Sequence, residues 1–530
     1  MDRKPNVLLI LCDDMGYSDI GCYGGLIDTP NIDRLAYDGT RYTNFYNCPR
    51  CAPSRACMLT GLHPHQTGIG ILTYNDGPLG YLGTLNDRCR TIAEVLKDNG
   101  YHSYISGKWH LSSDTKNENR NWPLHRGFEH HFGTLAGSGS YYNPHALMRD
   151  NQNIEKEIIG KDFYYTDAIS DHAVSFIEEH HEKYPNAPFF QYVAYTAPHW
   201  PLQAPEEMIR KYQGKFDEGW DVLRSKKLKR MAEMGIIDPA WASAPRDPKI
   251  PQWDSLSKEE KVWYARCMEV YAAQVEVMDQ GIGRILHSLE KMDELDNTLV
   301  FFLSDNGGCN EMIKPHPTPG ADIIPNAWTR EKKPILVGNH MDQMPGTEET
   351  FQTYTHWANL SNAPFRLYKS WVHEGGISTP LIVRWNSKTH GEINRRKGHL
   401  IDIAATIYDV TKTPYPAVQD GTEIIPLEGE SIFAPYDMKR PMFWEHQGNG
   451  AVQIGKWKAV CEYPKEWELY DMENDRCELL DLSRERGDIL TQLVSCYYEW
   501  ANRCGVLPRD RILAIPGRRT IHNEYCDWMI

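Results

Sequence analysis

Asn6-Val7-Leu8-Leu9-Ile10-Leu11-Cys12-Asp13-Asp14 is an almost unbroken apolar run that stops on two adjacent carboxylates. Without polar alternation, such a run predicts a strand buried on both faces, as in a sheet covered by helices on each side. Ligands in open sheets of this kind bind beyond the carboxyl ends of the strands, so Asp13 and Asp14 stand where chemistry is expected. Outward from this stretch the pattern repeats. Strands are predicted over residues 101–106, 188–195, 298–303 and 380–385. Helices are predicted over 91–97, 163–182 and 399–410, and over 30–37 with Thr29 as N-cap and Pro30 in the first turn. A longer helical pattern covers 258–292, with a break expected near Gly281 and Gly283. The alternation predicts an α/β fold, a large doubly wound mixed sheet flanked by helices.

Residues 112–160 are polar, aromatic and rich in Gly and Asn, which predicts loop, and 206–251 are charged and irregular. Residues 310–364 are too long and aperiodic for a simple connection and predict a functional loop region. Beyond about Pro414 the pattern changes to short strands at 442–445, 451–454, 457–461 and 468–470, with turns at Asn449-Gly450 and Gly455, then a helix over 486–502. The expected division is a main α/β domain over 1–414 and a smaller C-terminal α+β subdomain over 415–530 carrying an antiparallel sheet.

The chain has 530 residues, net charge −15 and no apolar run near the roughly 20 residues of a membrane span. That balance argues against a nucleic-acid partner and supplies no basic stripe for anionic membranes. The start, Met1-Asp-Arg-Lys-Pro, lacks a leader pattern, so the product as written is expected in the cytoplasm, and in the periplasm or outside the cell if a leader has been trimmed. Thirteen scattered cysteines favour reduced thiols over a disulfide framework. Of these, Cys12, Cys22, Cys48, Cys57 and Cys309 read as small core residues.

Four further segments carry chemistry. Asn47 to Gly61 reads N-C-P-R-C-A-P-S-R-A-C-M-L-T-G, a cysteine followed by the proline-started first turn of a helix whose positive end would face Cys51. Arg55 adds a permanent charge one turn on. Asp305-Asn306 ends the 298–303 strand as Asp13-Asp14 ends the first, and three carboxylates with an amide carbonyl are hard donors suited to Ca²⁺ or Mg²⁺. Lys108 and His110 follow the 101–106 strand, and Thr196-Ala197-Pro198-His199 follows the 188–195 strand. Singly, each has an ordinary structural reading as a turn, a cap or a core histidine.

Together these segments, with Gly100 to His110 and Lys369-x-x-x-x-Glu374-Gly375-Gly376, resemble the type I sulfatases of the alkaline phosphatase superfamily, in a bacterial arylsulfatase-like form, from Asn6 to about Trp457. The resemblance implies an alkaline phosphatase-like fold and hydrolysis of sulfate monoesters, aryl or carbohydrate. It implies that a maturase oxidises Cys51 to formylglycine, whose hydrate attacks sulfur and forms a covalent sulfo-enzyme. Asp13, Asp14, Asp305, Asn306 and the modified Cys51 would bind Ca²⁺, with Mg²⁺ admitted by the donors. Lys108, Lys369 and His199 would bind the sulfate, Arg55 the alkoxide, and Asp305 would assist its deprotonation. His199 would protonate the leaving alcohol, and His110 would accept the proton when sulfate departs. Glu374 reads as structural. Arg50 departs from the family pattern, which prefers a small or aliphatic residue there. Two rivals stand beside this reading: a phosphodiesterase or phosphonate monoester hydrolase of the same superfamily, and an inactive module that binds sulfated glycans. For the alcohol, His63, His65, Tyr74, Tyr81, His316, Trp328, His340 and His446 lie on segments that could roof the pocket.

Overall fold

A computed structural model of the chain describes residues 3–513, apart from 75–76, 321–323, 325, 386–387 and 420, together with the backbone of 526–527. The opening run forms β1 (Asn6–Cys12), every residue of it buried. Because successive side chains of a strand point to opposite faces, β1 feeds two cores. Leu8 and Ile10 belong to one, and Val7, Leu9 and Leu11 to the other.

The large sheet also contains β2 (Thr40–Tyr46), β3 (His102–Gly107), β4 (His130–Thr134), β5 (Leu147–Arg149), β6 (Gln152–Asn153), β7 (Phe189–Ala194), β8 (Thr298–Ser304), β9 (Ser378–Arg384) and β10 (Glu392–His399). Their order is β10-β2-β9-β8-β1-β7-β3-β4-β5-β6. β1 is parallel to β7 and β8, and β3 is parallel to β7. β9 runs antiparallel between β8 and β2, so β2 shares the direction of β1. The carboxyl ends of β1, β2, β3, β7 and β8 and the amino end of β9 therefore lie along one edge. Helices cover both faces: α1 (Pro30–Asp38), α4 (Tyr165–Lys183), α5 (Gly219–Glu233) and α6 (Lys258–Lys291) on one, and α2 (Cys51–Thr60), α3 (Ile92–Lys97) and α7 (Ile401–Thr411) on the other. The mixed, doubly wound sheet expected from the sequence is present.

A second, four-stranded antiparallel sheet joins β11 (Met442–His446), β12 (Asn449–Ile454), β13 (Trp457–Cys461) and β14 (Glu468–Asp471). One face packs Trp444, Ala451, Val460 and Tyr470 against Tyr46, Val372 and Ile377 of the main body. The other is covered by α8 (Gly487–Cys504) through Leu493, Tyr497 and Trp500.

Several local expectations change. α6 runs unbroken through Gly281 and Gly283. A Cβ on Gly281 would stand 2.0 Å from Ser170 Oγ of α4, and one on Gly283 2.5 Å from Asn31 Oδ1 of α1, so these glycines permit close helix contact and do not mark a break. The β11–β12 turn is Gln447-Gly448, with φ of 53° and 91°, as a two-residue hairpin that matches strand twist requires. Asn449-Gly450 is the start of β12. Residues 112–160, expected as loop, contain β4 and β5, and the charged 206–251 stretch contains α5.

Glu374 ties the two sheets together. Fully buried, it accepts from Lys458 Nζ of β13 at 2.9 Å, Arg476 Nε at 3.1 Å, Ser378 Oγ at 2.9 Å and Tyr46 Oη at 3.2 Å. Removing one member of a buried charge network leaves the others uncompensated. Glu374→Ala is expected to cost about 3–5 kcal/mol of stability, measured by denaturant unfolding with Glu374→Gln as the milder control.

Candidate active site

The shared sheet edge brings the sequence-predicted residues together. Asp13 and Asp14 leave β1, Lys108 and His110 leave β3, His199 leaves the turn after β7, and Asp305 and Asn306 leave β8. Cys51 opens α2 five residues beyond β2, and Lys369 lies on the loop entering β9. All ten of the predicted catalytic and metal residues, Arg55 included, are buried.

Cys51 is the first helical residue of α2, which begins at the cysteine and not at Pro53, so the positive end of the helix dipole meets its side chain. Its Sγ lies 3.5 Å from His110 Nδ1. Burial pushes the Cys51 thiol up, and Lys108 and Lys369 offset only part of that rise. His110 sits at φ 54°, its ring against Gly137, where a Cβ would come within 2.4 Å of the imidazole. Burial, followed by the charges of Lys108 and Arg55, keeps this imidazole well below its ordinary pKa.

Three cations meet three carboxylates here. Lys108 Nζ lies 2.5 Å from Asp13 Oδ2, Lys369 Nζ 2.8 Å from Asp14 Oδ2, and Arg55 Nη2 2.9 Å from Asp305 Oδ2. Burial opposes the charge of Asp13, yet Lys108, His199 and Arg55 hold its carboxyl well below the usual carboxylate range. Asp305 differs. Burial, aided by the charge of Asp13, drives it up to about 7 despite Arg55 and Lys108. Asn306 Nδ2 donates to Asp14 Oδ1 at 2.6 Å, which turns the amide oxygen away from that carboxylate.

The donor set fits a hard divalent cation. Among the described residues, Asp13 Oδ1 and Asn306 Oδ1 are buried with no hydrogen-bond partner, and ligand atoms of Asp13, Asp14 and His199 lie within 4.8 Å of one another. Orphaned buried oxygens of this type call for a cation or a donor.

His199 donates from Nδ1 to the Trp200 carbonyl at 2.7 Å, which leaves Nε2 facing Lys369 Nζ at 3.2 Å and Asp14 Oδ2 at 3.3 Å. Burial lowers its pKa, with Asp14 opposing.

A cavity of about 360 Å³ opens onto Cys51, His110, His199 and Lys369. Its outer wall contains Tyr74, Ser112, His145, Trp200, Glu311 and Gln447, of which only Tyr74 belongs to the expected roof. His63, His65 and Tyr81 pack instead with Trp500 and one another beneath α8. His316, Trp328, His340 and His446 are not among the residues lining the cavity. Trp200, Glu311 and Gln447 were not foreseen, although Trp200 adjoins His199 in the chain. A larger cleft of about 520 Å³, beside Tyr46, Arg395 and Trp241, contains none of the predicted residues.

The sulfatase family model matches residues 5–413, and a model described as N-sulphoglucosamine sulphohydrolase, C-terminal, matches 365–495. An uncharacterised sulfatase of Schizosaccharomyces pombe is 34% identical over 95% of both chains. The arylsulfatase of Klebsiella aerogenes is 32% identical over 82% of this chain and 92% of its own. N-acetylglucosamine-6-O-sulfatase of Bacteroides thetaiotaomicron is 26% identical over 90% and 82%. Among solved structures, Ps i-CgsB in complex with a neocarrahexaose superposes with a TM-score of 0.66 at 24% identity, covering 98% of this chain and all of that one. No helix among the described residues is long and apolar enough to cross a membrane. With the family model spanning more than three quarters of its length and two relatives above 30% identity, the chain belongs to the sulfatase family and is a sulfuric ester hydrolase.

Proposed function

We propose that the protein hydrolyses an aryl or carbohydrate sulfate monoester by way of formylglycine made from Cys51 by a maturase. The observation that carries this reading is the setting of Cys51: the first residue of a buried helix, 3.5 Å from His110, among Lys108, Lys369 and Arg55. A thiol whose pKa is raised by burial makes a poor thiolate, which suits a precursor better than a nucleophile in its own right. The oxidised side chain would supply the hydrated aldehyde whose oxygen attacks sulfur.

Asp13, Asp14, Asp305, Asn306 and the modified Cys51 would hold Ca²⁺, or Mg²⁺, and the bound ion would supply fixed positive charge toward the sulfate. Lys108 and Lys369 bind the sulfate oxygens, and Arg55 steadies the attacking oxygen while Asp305 assists its deprotonation. His199 in its protonated form delivers a proton from Nε2 to the leaving oxygen, and the Asp14 carboxylate 3.3 Å away favours that form against burial. His110, kept neutral by burial, takes a proton when sulfate is released. The cavity wall, with aromatic Tyr74 and Trp200 beside the hydrogen-bonding Ser112, His145 and Gln447, suits a sugar or an aryl ring. The division at residues 414 and 415 is part of the same proposal, with the chemistry assigned to the N-terminal portion.

Cys51→Ala and Cys51→Ser should abolish multiple-turnover sulfate release while melting like the parent. Parental rates in Cys51→Ser would remove the formylglycine assignment, since serine offers one hydroxyl where the hydrate has two. His199→Ala should slow alkyl and sugar sulfates far more than p-nitrophenyl sulfate, whose phenolate needs little protonation. His110→Ala should release a burst of alcohol and then stall. Equal losses across leaving groups, with no burst, would remove both roles. Chelation should abolish activity and lower the melting temperature together, with Ca²⁺ restoring both. Full activity after exhaustive chelation would contradict the metal assignment.

A further inference from the structure

Glu311 has no part in this chemistry, yet it is 4% exposed in the cavity wall and touches the chain neighbours of two proposed participants and a third participant directly. Its Oε1 accepts from Arg50 Nη1 at 2.5 Å, and its Oε2 from Trp200 Nε1 at 3.0 Å. Lys369 Nζ stands 3.5 Å from the same Oε2. Arg50 Nη1 also donates to Ser370 Oγ at 2.8 Å. Arg50 immediately precedes Cys51, Trp200 follows His199, and Ser370 follows Lys369. One carboxylate from the segment beyond β8 thus links three segments that come from different strand ends.

The link reaches the reacting atoms in two steps. Trp200 supplies the carbonyl that holds His199 Nδ1, and its ring lies 4.5 Å, centroid to centroid, from the imidazole. Arg50 is the N-cap of α2, so its anchorage sets where the helix begins and where Cys51 points. Burial opposes charge on Glu311, but Arg50 and then Lys369 hold it ionised, at about 2. A buried ion pair stabilises little compared with a packed apolar wall, and its best-attested use is to select one geometry.

We propose that Glu311 is a positioning residue that, through Arg50, Trp200 and Lys369, fixes Cys51, His199 and Lys369 relative to one another. The inference rests on the roles assigned above to those three residues. It also accounts for Arg50, whose size and charge depart from the family pattern.

Binding of inorganic sulfate to the calcium-loaded protein, measured by calorimetry, separates this from a simple field effect. If Glu311 acts only as a nearby negative charge, Glu311→Gln should tighten sulfate. If it positions Lys369 and α2, Glu311→Gln should weaken sulfate by about tenfold or more, and Glu311→Asp should recover part of the loss. In turnover, Glu311→Gln should steepen the dependence of kcat on leaving-group pKa, which a uniform loss of folded protein would not do. Unchanged or tighter sulfate binding in Glu311→Gln overturns the proposal. Should that variant fail to fold, Arg50→Lys keeps the charge but, with a shorter side chain, falls short of the Nη1 position that donates to both Glu311 and Ser370. Weaker sulfate binding in Arg50→Lys supports the tie, and unchanged binding overturns it. Because sulfate binding needs no turnover, this result stands apart from the Cys51 and His199 tests, whose failure would remove the assigned chemistry alone.

Discussion

Three carboxylates and three cations without access to water, gathered at one edge of a sheet, are the constraint on which the rest depends. An isolated buried charge is prohibitively costly, so Asp13, Asp14, Asp305, Lys108, Lys369 and Arg55 are tolerable only as a set held at hydrogen-bonding distance. That requires their strands to end at the same level. The parallel β1, β3, β7 and β8, with β2 sharing their direction and β9 entering from the same edge, meet this need. Burial raises the pKa of Asp305, and among the described residues the buried oxygens Asp13 Oδ1 and Asn306 Oδ1 have no hydrogen-bond partner.

What could be read from the chain follows from burial. β1, β7 and β8 are covered on both faces and almost entirely apolar, so their signal is strong, whereas β3, buried but reading His102-Ser-Tyr-Ile-Ser-Gly, gives a weaker one. β10 forms the outer edge of the sheet, and its Glu392-Ile-Asn-Arg-Arg sequence has no such signature, so it was not foreseen. α5 was missed because its Lys- and Arg-rich sequence hides a short buried face made by Trp220, Leu223 and Met231. Gly281 and Gly283 misled because a glycine that admits a neighbouring helix looks, in one dimension, like a glycine that ends one.

The candidate site divides in the same way. Residues at strand ends were found because an Asp, Lys or His directly after an apolar run is locally conspicuous. Glu311 lies in a long aperiodic segment, and nothing near it in sequence announces that it will meet Arg50 and Trp200. The only local hint was Arg50 itself, a large charge in a place where a small side chain was expected. The cavity wall is built from loops, and three of the eight aromatic and histidine residues suggested for it, His63, His65 and Tyr81, serve instead to seat α8.

The hairpin that carries Gln447 to the cavity is a two-residue connection with both residues at positive φ. Its strands are registered through five residue pairs from Met442 to His446, and Glu374 fastens the sheet to the main body well away from the tip. Length at the tip is therefore uncoupled from the ladder beneath it. Residues inserted between His446 and Asn449 would deepen or narrow the mouth of the pocket while Cys51 and its neighbours kept their places. Altering this one loop would thus reshape the mouth of the cavity without moving the charged residues at the sheet edge.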